Sequence, residues 1–304
     1  MHKNQLGSSD IFISELTLGC MSLGTNKTHA KNIIDVALDH GVNHLDTADL
    51  YDFGMNEEIV GEAIRNRRDQ IILTTKVGNH FNRKDKSWFW DPSKTYILQA
   101  VKDSAHRLQT DYIDLVLLHG GTIADNIDDT IEAFEHLKKE GTIREYGISS
   151  IRPNVIREYV NRSSMQGVMM QYSLLDRRPE EEIFDLLHKN NVSVLARGPL
   201  AKGMLANGGE HVIDKKARDG YLDYTYDQLK VLFRALQEIS TDQITINQLA
   251  LAFVLQHPVV TSAVFGASTV RQVKENIIKR DIPFEQLYVK LQQLTKENKY
   301  TAHR

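Results

Sequence analysis

The sequence is poor in features that define whole classes of protein. Cys20 is the one cysteine among 304 residues, which excludes an internal disulfide framework and fits a reducing compartment. No apolar run approaches the roughly 20 residues that span a bilayer. The first residues, MHKNQLGSSDIF, lack the apolar core of a secretory signal. We therefore expect a soluble, cytoplasmic protein.

An excess of charge of one sign is missing as well. The chain has 37 Lys and Arg against 40 Asp and Glu, interspersed, and its formal net charge is −3. This balance argues against nucleic acid or an anionic membrane as a standing partner. Hydrophobic residues at 41% and charged residues at 25% are typical of a globular protein. We expect a monomer or a small homo-oligomer that acts on a small molecule.

Short apolar runs alternate along the chain with amphipathic stretches. Several runs, such as IDLVLL, are apolar throughout, which is typical of parallel strands covered on both faces. The predicted strands are Leu16–Cys20, Val42–Leu45, Ile71–Thr75, Ile113–Leu118, Glu145–Ser149, Val168–Tyr172, Val192–Ala196 and Thr261–Phe265. The predicted helices are Ala30–His40, Glu57–Arg65, Ser93–Leu108, Ile127–Lys139, Pro153–Asn161, Pro179–Lys189, Ile246–Gln256 and Val270–Lys279.

This alternation predicts an α/β fold, a TIM (β/α)8 barrel that forms a single domain over residues 1–304. The first strand–helix turn has no G-x-G-x-x-G, which argues against a Rossmann fold. Outside the repeat, we expect an N-terminal β-hairpin over residues 3–14 and an extra C-terminal helix over residues 284–298. Residues 202–224 are rich in glycine and charge and predict a long loop after the seventh strand.

Four polar residues follow consecutive predicted strands. Asp46 follows the second strand with Tyr51 just beyond it, Lys76 ends the third, and His119 ends the fourth. Barrel enzymes place their chemistry at this end of the strands. Any one of the four could be structural, but a buried strand-end lysine needs a carboxylate, and Asp46 on the neighbouring strand can supply it.

These residue types suit the reduction of a carbonyl, which needs a hydride at carbon and a proton at oxygen. A free tyrosine, with a pKa of about 10, holds its proton too tightly to be an ideal acid near neutrality. An ammonium beside the phenol lowers that pKa. Asp46 would keep Lys76 charged and oriented, and a neutral His119 would donate a hydrogen bond to the carbonyl oxygen. These roles require no metal.

The motifs resemble those of the aldo-keto reductase superfamily. DTADLYDFGMNEEIVG at residues 46–61 is similar to the family's D-T-A-x-x-Y block, LTTKVG at 73–78 to its lysine strand, and RLQTDYIDLVLLH at 107–119 to its histidine strand. EYGIS, YSLLDR, GPLAKGML and GASTVRQVKEN match later blocks in order. The resemblance implies an NADPH-dependent enzyme that reduces an aldehyde or ketone to an alcohol, with Tyr51 as the proton donor.

The resemblance also implies a cofactor site without a Rossmann motif. Gly24, Thr25, Asp46, Gly198 and Pro199 would lie near the cofactor, Ser149, Ser150 and Met169 at the nicotinamide carboxamide, Arg197 beside the ring, Leu200, Lys202 and Gly203 at the pyrophosphate, and Ser268, Arg271, Gln272 and Asn276 at the 2′-phosphate and adenine. Without the other motifs, Ser268 and Gln272 would be read as an ordinary helix start.

The sequence departs from the family pattern on the hydride side of the reaction. Ser150 stands where the family commonly has Asn, and Met169 where it has the carboxamide-binding Gln; Gln171 could partly substitute. Arg197 replaces the aromatic residue that stacks on the nicotinamide. A guanidinium plane stacks on a π face and suits the neutral reduced ring better than the cationic oxidised one. We expect this to favour carbonyl reduction.

The last motif and the loop after the third strand bear on the choice of cofactor and on the substrate. The last block offers Arg271 for a 2′-phosphate but no strong basic pair, so we predict NADPH with NADH as the alternative. Trp88 and Trp90, with Phe81 and Phe89, predict an apolar pocket wall, although anchoring of their loop to the barrel is an equal alternative. We expect Tyr51 and His119 to contact the substrate as well.

Two other functions are compatible with parts of the pattern. A barrel aldolase could use Lys76 as a Schiff-base amine, but Tyr51 and the last block would then have no purpose. Some aldo-keto reductase relatives instead serve as regulatory channel subunits that sense NADPH with little turnover, which would require a docking surface that the sequence does not reveal.

Overall fold

Strands and helices alternate along the chain in the computed structural model, which describes residues 1–241, 244–277 and 284–304. The strands are β1 Lys3–Gln5, β2 Phe12–Ser14, β3 Leu16–Gly19, β4 His44–Asp46, β5 Ile72–Val77, β6 Asn79–Asn82, β7 Ser87–Trp90, β8 Ile113–Leu118, β9 Ile143–Ser149, β10 Gly167–Gln171, β11 Ser193–Arg197 and β12 Val260–Gly266. The helices are α1 Lys27–Asp39, α2 Met55–Ile64, α3 Lys94–Arg107, α4 Ile127–Glu140, α5 Pro153–Arg162, α6 Ile183–Lys189, α7 Gly209–Lys216, α8 Tyr226–Ile239, α9 Ile246–Leu255, α10 Val270–Asn276 and α11 Phe284–Leu294.

Eight of the described strands close into a parallel barrel in the order β3-β4-β5-β8-β9-β10-β11-β12. The barrel closes where β12 pairs with β3, with Ala263 opposite Leu16. The eight predicted strands and the TIM-barrel fold are therefore confirmed. Every residue of β8 is buried, because alternate side chains face the barrel interior and the surrounding helices.

An N-terminal hairpin closes the bottom of the barrel, as expected. Strands β1 and β2 pair antiparallel, and the side chains of Leu6, Ile11 and Ile13 pack in one apolar cluster with Leu115 and Leu117 from the barrel interior. These contacts leave the opposite end, where the parallel strands end, as the place for polar chemistry.

Hydrogen-bonded polar side chains of Thr17, His44, Thr74 and Ser262 form a layer inside the barrel, which we call the polar layer. The Nδ1 atom of buried His44 lies 2.7 Å from Thr17 Oγ1, and its Nε2 atom lies 2.6 Å from Thr74 Oγ1. Thr17 Oγ1 in turn lies 2.6 Å from Ser262 Oγ. Burial, and then the charge of Lys76, lower the pKa of His44 to about 3, so its imidazole is neutral.

Several boundaries differ from those predicted. Residues 202–224 are not a continuous loop, because they contain helix α7, whose buried Gly209 and Ile213 pack against the body of the protein. Helix α8 was not predicted at all, although Thr225 and Gln228 form a capping box at its start.

The two helices predicted nearest the C-terminus are shorter than expected. Helix α10 ends at Asn276, and the last two residues of the predicted range fall outside the described residues. Helix α11 ends at Leu294 instead of at residue 298. In the part of the chain that the structure covers, we find no helix that is long and apolar enough to cross a membrane.

Candidate active site

The end of β4, the end of β5 and the residue after β8 deliver three of the predicted catalytic residues to one point. These strands are neighbours in the barrel, with Asp46 paired to Thr74 and Lys76 paired to Leu117. His119 follows β8 directly, and its backbone N–H donates to Val77 O at 2.7 Å. The parallel pairing therefore brings together residues that lie about 30 and 40 positions apart in sequence.

Lys76 is the centre of the cluster. Its ammonium donates to Asp46 at 2.8 Å, to the Thr47 carbonyl at 2.7 Å and to Tyr51 Oη at 3.2 Å. The side chain is only 1% exposed, so these three oxygens take the place of water around the charge. Thr47 was not predicted, because a backbone acceptor leaves no mark in the residue type.

Tyr51 lies at the start of a short turn before α2. Its backbone N–H donates to Ala48 O at 3.2 Å, and its ring meets that of His119 edge to face, with centroids 5.9 Å apart. The four predicted catalytic residues therefore form one cluster at the rim.

Electrostatics divides the cluster into charged and neutral members. Burial alone would lower the pKa of Lys76, but the charges and hydrogen bonds of Asp46 and Tyr51 outweigh it and raise that pKa above its ordinary value. Burial raises the pKa of Asp46, opposed by Lys76. Burial, then the charges of Lys76 and Arg197, lower the pKa of His119 to about 3. Lys76 is thus an ammonium at neutral pH and His119 a neutral imidazole, whose buried Nδ1 has no hydrogen-bond partner among the described residues.

The predicted carboxamide site lies beside this cluster, on β9 and β10. Ser149 pairs with Met169 across the two strands, and the Ser150 N–H donates to Met169 O at 3.0 Å. The Met169 side chain lies inside the barrel in the same apolar cluster as Leu195 and Val264. Met169 therefore contributes apolar contact, and the two serines supply the hydroxyl groups of this site.

Gln171 connects the neighbouring residue Arg197 to a buried acid. Its amide nitrogen donates to Asp176 Oδ2 at 2.8 Å and to Tyr221 Oη at 3.1 Å, and its oxygen accepts from Arg197 Nη1 at 3.3 Å. Arg178 holds the buried Asp176 with two hydrogen bonds of 2.7 Å. The amide donors of Gln171 are therefore engaged, and its structural role is to fix Arg197.

The turn after β11 contains three successive residues with positive φ. Ala201, Lys202 and Gly203 have φ values of 45°, 58° and 92°, and the Ala201 and Gly203 N–H groups donate within the turn to the carbonyls of Gly198 and Leu200, both at 2.9 Å. The Lys202 ammonium lies 5.7 Å from the centre of the Tyr221 ring. The feature of this segment that suits a pyrophosphate is therefore the Lys202 cation.

The residues predicted for the adenine end lie just before α10 and along that helix, up to its last residue Asn276. Ser268 N and Oγ donate to Gln272 Oε1, at 2.7 and 3.0 Å, as at an ordinary helix start. The Arg271 side chain is 83% exposed, whereas Asn276 is buried and accepts from Asn247. Gly24 and Thr25 lie exposed after the first barrel strand. Arg271 Nε lies 3.6 Å from Glu275 Oε1, so a phosphate would compete with Glu275 for this exposed guanidinium and with Gln272 for the Ser268 hydroxyl.

Trp88 and Trp90 occupy one strand of an unpredicted hairpin, β6–β7, that follows β5 at the rim. Trp90 Nε1 donates to both oxygens of Asp125 at 3.1 Å, and a methyl group at Gly78 would come within 2.8 Å of its ring. A methyl group at Gly120, next to His119, would lie 3.4 Å from the same Trp90 ring. Trp88 is 55% exposed. Trp90 is thus anchored beside the cluster, while Trp88 faces outward.

A parallel barrel whose rim carries this Tyr–Lys–Asp–His cluster is the architecture of an aldo-keto reductase. The match to the Aldo/keto reductase family covers residues 15–291. The chain therefore belongs to the aldo-keto reductase family, whose members are oxidoreductases that use a nicotinamide cofactor.

Individual relatives agree with this assignment. A Bacillus subtilis protein, "Uncharacterized oxidoreductase YqkF", is 52% identical to this chain over 308 residues and all of both chains. The "NADH-specific methylglyoxal reductase" of Escherichia coli is 30% identical, covering 93% of this chain and 94% of its own. The solved structure of aldo-keto reductase AKR11C1 from Bacillus halodurans, in its holo form, is 52% identical and has a TM-score of 0.91, covering 100% of this chain and 99% of that one.

Proposed function

We propose that the protein reduces an aldehyde or ketone to an alcohol, with Tyr51 as the proton donor and NADPH as the cofactor. The observation that carries this proposal is the contact between Lys76 Nζ and Tyr51 Oη at 3.2 Å, inside a cluster completed by Asp46 and His119. This arrangement presents a proton donor together with a cation that stabilises its conjugate base.

A nicotinamide cofactor, when bound, would supply the hydride, and the residues of the protein would supply and stabilise the proton transfer. When Tyr51 gives up its proton to the carbonyl oxygen, the Lys76 ammonium stabilises the phenolate that remains. Asp46 and the Thr47 carbonyl hold that ammonium in place. A neutral His119 donates a hydrogen bond to the same carbonyl oxygen and aligns it, since a neutral imidazole carries one N–H.

Three groups of residues would hold the dinucleotide. Ser149 and Ser150 suit the carboxamide, with Gly24, Thr25, Met169, Arg197, Gly198 and Pro199 around the ring. Leu200, Lys202 and Gly203 suit the pyrophosphate, and Ser268, Arg271, Gln272 and Asn276 the adenosine end. Arg271 is the cation that favours NADPH, although the name of the Escherichia coli relative makes NADH the competitor to test. Trp90 would form the apolar wall beside a bound carbonyl, with Trp88 at its outer edge.

The structure speaks against the use of Lys76 as a Schiff-base amine. A nucleophilic amine must be unprotonated, yet the Lys76 ammonium is buried, contacts three oxygens and has a raised pKa.

The test is turnover of a panel of aldehydes and ketones by the purified protein, followed by the absorbance of NADPH or NADH. Methylglyoxal belongs in the panel because of the relative's name. We expect carbonyl-dependent oxidation of the cofactor, higher kcat/KM with NADPH, and a loss of at least about 100-fold in Tyr51→Phe. Equal activity in Tyr51→Phe would refute the assignment of the proton donor. Tight cofactor binding without turnover would favour the regulatory alternative.

A further inference from the structure

The turn that follows Tyr51 has an unusual backbone. Asp52 and Phe53 have φ values of 47° and 52°, and Gly54 follows with a φ of 86°. Residues with a Cβ adopt this left-handed region at a cost in free energy, because the Cβ approaches the following carbonyl. Two such residues in a row, next to the proposed proton donor, persist only if surrounding contacts hold them.

The contacts come from the tip of the β6–β7 hairpin. Arg83 Nε donates to the Phe53 carbonyl at 2.8 Å, and its Nη2 atom lies 2.8 Å from Glu58 Oε1. The Phe53 ring meets the Phe81 ring edge to face, with centroids 6.1 Å apart. The hairpin therefore contacts Phe53, in the middle of the strained turn, through one hydrogen bond and one ring contact.

The space around Gly54 shows how closely the two arginine side chains pack against the turn. A methyl group at Gly54 would lie 2.8 Å from both Arg83 Nη2 and Arg107 Cδ. Arg107 in turn donates to buried Glu57 at 2.6 Å, so adjacent glutamates of α2 neutralise the two arginines on either side of the turn. The turn therefore lies between two arginines, each paired with a glutamate of α2.

We infer that Arg83 is a positioning residue for Tyr51: through the Phe53 carbonyl it holds the left-handed turn that sets the tyrosine against Lys76. This inference rests on the proposed role of Tyr51 as proton donor. If the turn relaxed, Tyr51 Oη would move from its position 3.2 Å from Lys76 Nζ. A displacement of about 1 Å in a catalytic group can reduce a rate by up to about 100-fold.

The first experiment compares Arg83→Ala with Lys84→Ala in the full-length protein. Lys84 is an exposed neighbour on the same hairpin tip, so both changes remove one positive charge from one place. We expect Arg83→Ala to lower kcat about 5- to 20-fold while KM and the Kd for NADPH change less than about twofold. Lys84→Ala should keep the wild-type kcat. An unchanged kcat in Arg83→Ala would overturn the inference.

A second substitution tests whether the cost of the positive φ values in the turn causes the loss of kcat. Glycine adopts positive φ values freely, so Asp52→Gly should restore most of the kcat that Arg83→Ala loses. Failure of this rescue, with a folded double variant by circular dichroism, would overturn the role of Arg83 as a clamp on the turn.

A double-mutant cycle shows whether the effect passes through the tyrosine. In a Tyr51→Phe background, Arg83→Ala should cause no further loss, because the group that it positions is gone. The solvent deuterium isotope effect on kcat should rise in Arg83→Ala, and this measurement decides the question if Tyr51→Phe is too slow to assay. Equal losses in both backgrounds, or an unchanged isotope effect, would overturn the inference. Wild-type activity in Tyr51→Phe would instead refute the proposed function.

Discussion

The buried histidine of the polar layer predicts a specific dependence of stability on pH. His44 contacts Thr17 and Thr74 with its two ring nitrogens, 2.7 and 2.6 Å away, and is fully buried. Its pKa is lowered from 6.5 to about 3, first by burial and then by the charge of Lys76. The perturbation is His44→Gln, which keeps a donor and an acceptor but removes the titrating group.

The sign and the magnitude follow from proton uptake. Below pH 6.5 the unfolded chain binds a proton at His44 that the native protein does not bind until about pH 3. The free energy of unfolding therefore falls as the pH falls through this window, by about 1.4 kcal/mol per pH unit. Between pH 7 and pH 5, this one residue should remove about 2 kcal/mol from the stability of the wild type.

The assay is urea unfolding followed by circular dichroism at pH 5, 6, 7 and 8. His44→Gln should be less stable than the wild type at pH 7, because the polar layer is disturbed. Its stability should nevertheless fall by about 2 kcal/mol less than that of the wild type between pH 7 and pH 5. Contributions of His119 and the buried carboxyl groups are shared by both proteins and cancel in the difference. Parallel pH curves would refute the assignment of a buried neutral His44.

Three further predictions concern the site and its support. Arg197→Tyr should weaken the preference for NADPH over NADP+ by about 3- to 10-fold in the ratio of Kd values, and an unchanged ratio would contradict the stacking role. Because the pKa of His119 lies near 3, the pH profile of kcat/KM should show no acid limb near pH 6.5; a limb lost in His119→Gln would contradict its neutral state. Gly61→Ala should cost about 1–3 kcal/mol of stability, since the added methyl group would lie 2.5 Å from Leu108 O. Gly266→Ala, with 3.7 Å to the nearest atom, is the control in thermal unfolding, and equal losses would contradict the packing argument.

The strands and the catalytic cluster were predictable because both depend on local patterns. Runs such as IDLVLL read as doubly covered strands, and residues at the ends of neighbouring parallel strands must meet. Lys76 gave the strongest signal, since a buried ammonium requires a carboxylate such as Asp46.

The parts that failed depend on contacts between distant segments. Helix α7 lies in a stretch whose glycines and charges read as a loop, and it is stabilised by contacts with other segments, such as the packing of Ile213 and the ion pair of Asp214 with Lys230 of α8. Helix α8 was within reach, because the Thr225 and Gln228 capping box is visible in the sequence. No pattern links Gln171 to Asp176 and Tyr221, or Arg83 to the Phe53 carbonyl, because these pairings arise from the fold alone.

The β6–β7 hairpin also gives the protein an intrinsic tryptophan fluorescence signal. Both tryptophans of the chain, Trp88 and Trp90, lie on this hairpin. One is 55% exposed to solvent, and the other is anchored to Asp125 against the loop that carries His119. Tryptophan emission from the unlabelled protein therefore comes from the hairpin that contacts the turn after Tyr51. Its wavelength and intensity should register any movement of that hairpin when a carbonyl compound enters the barrel mouth.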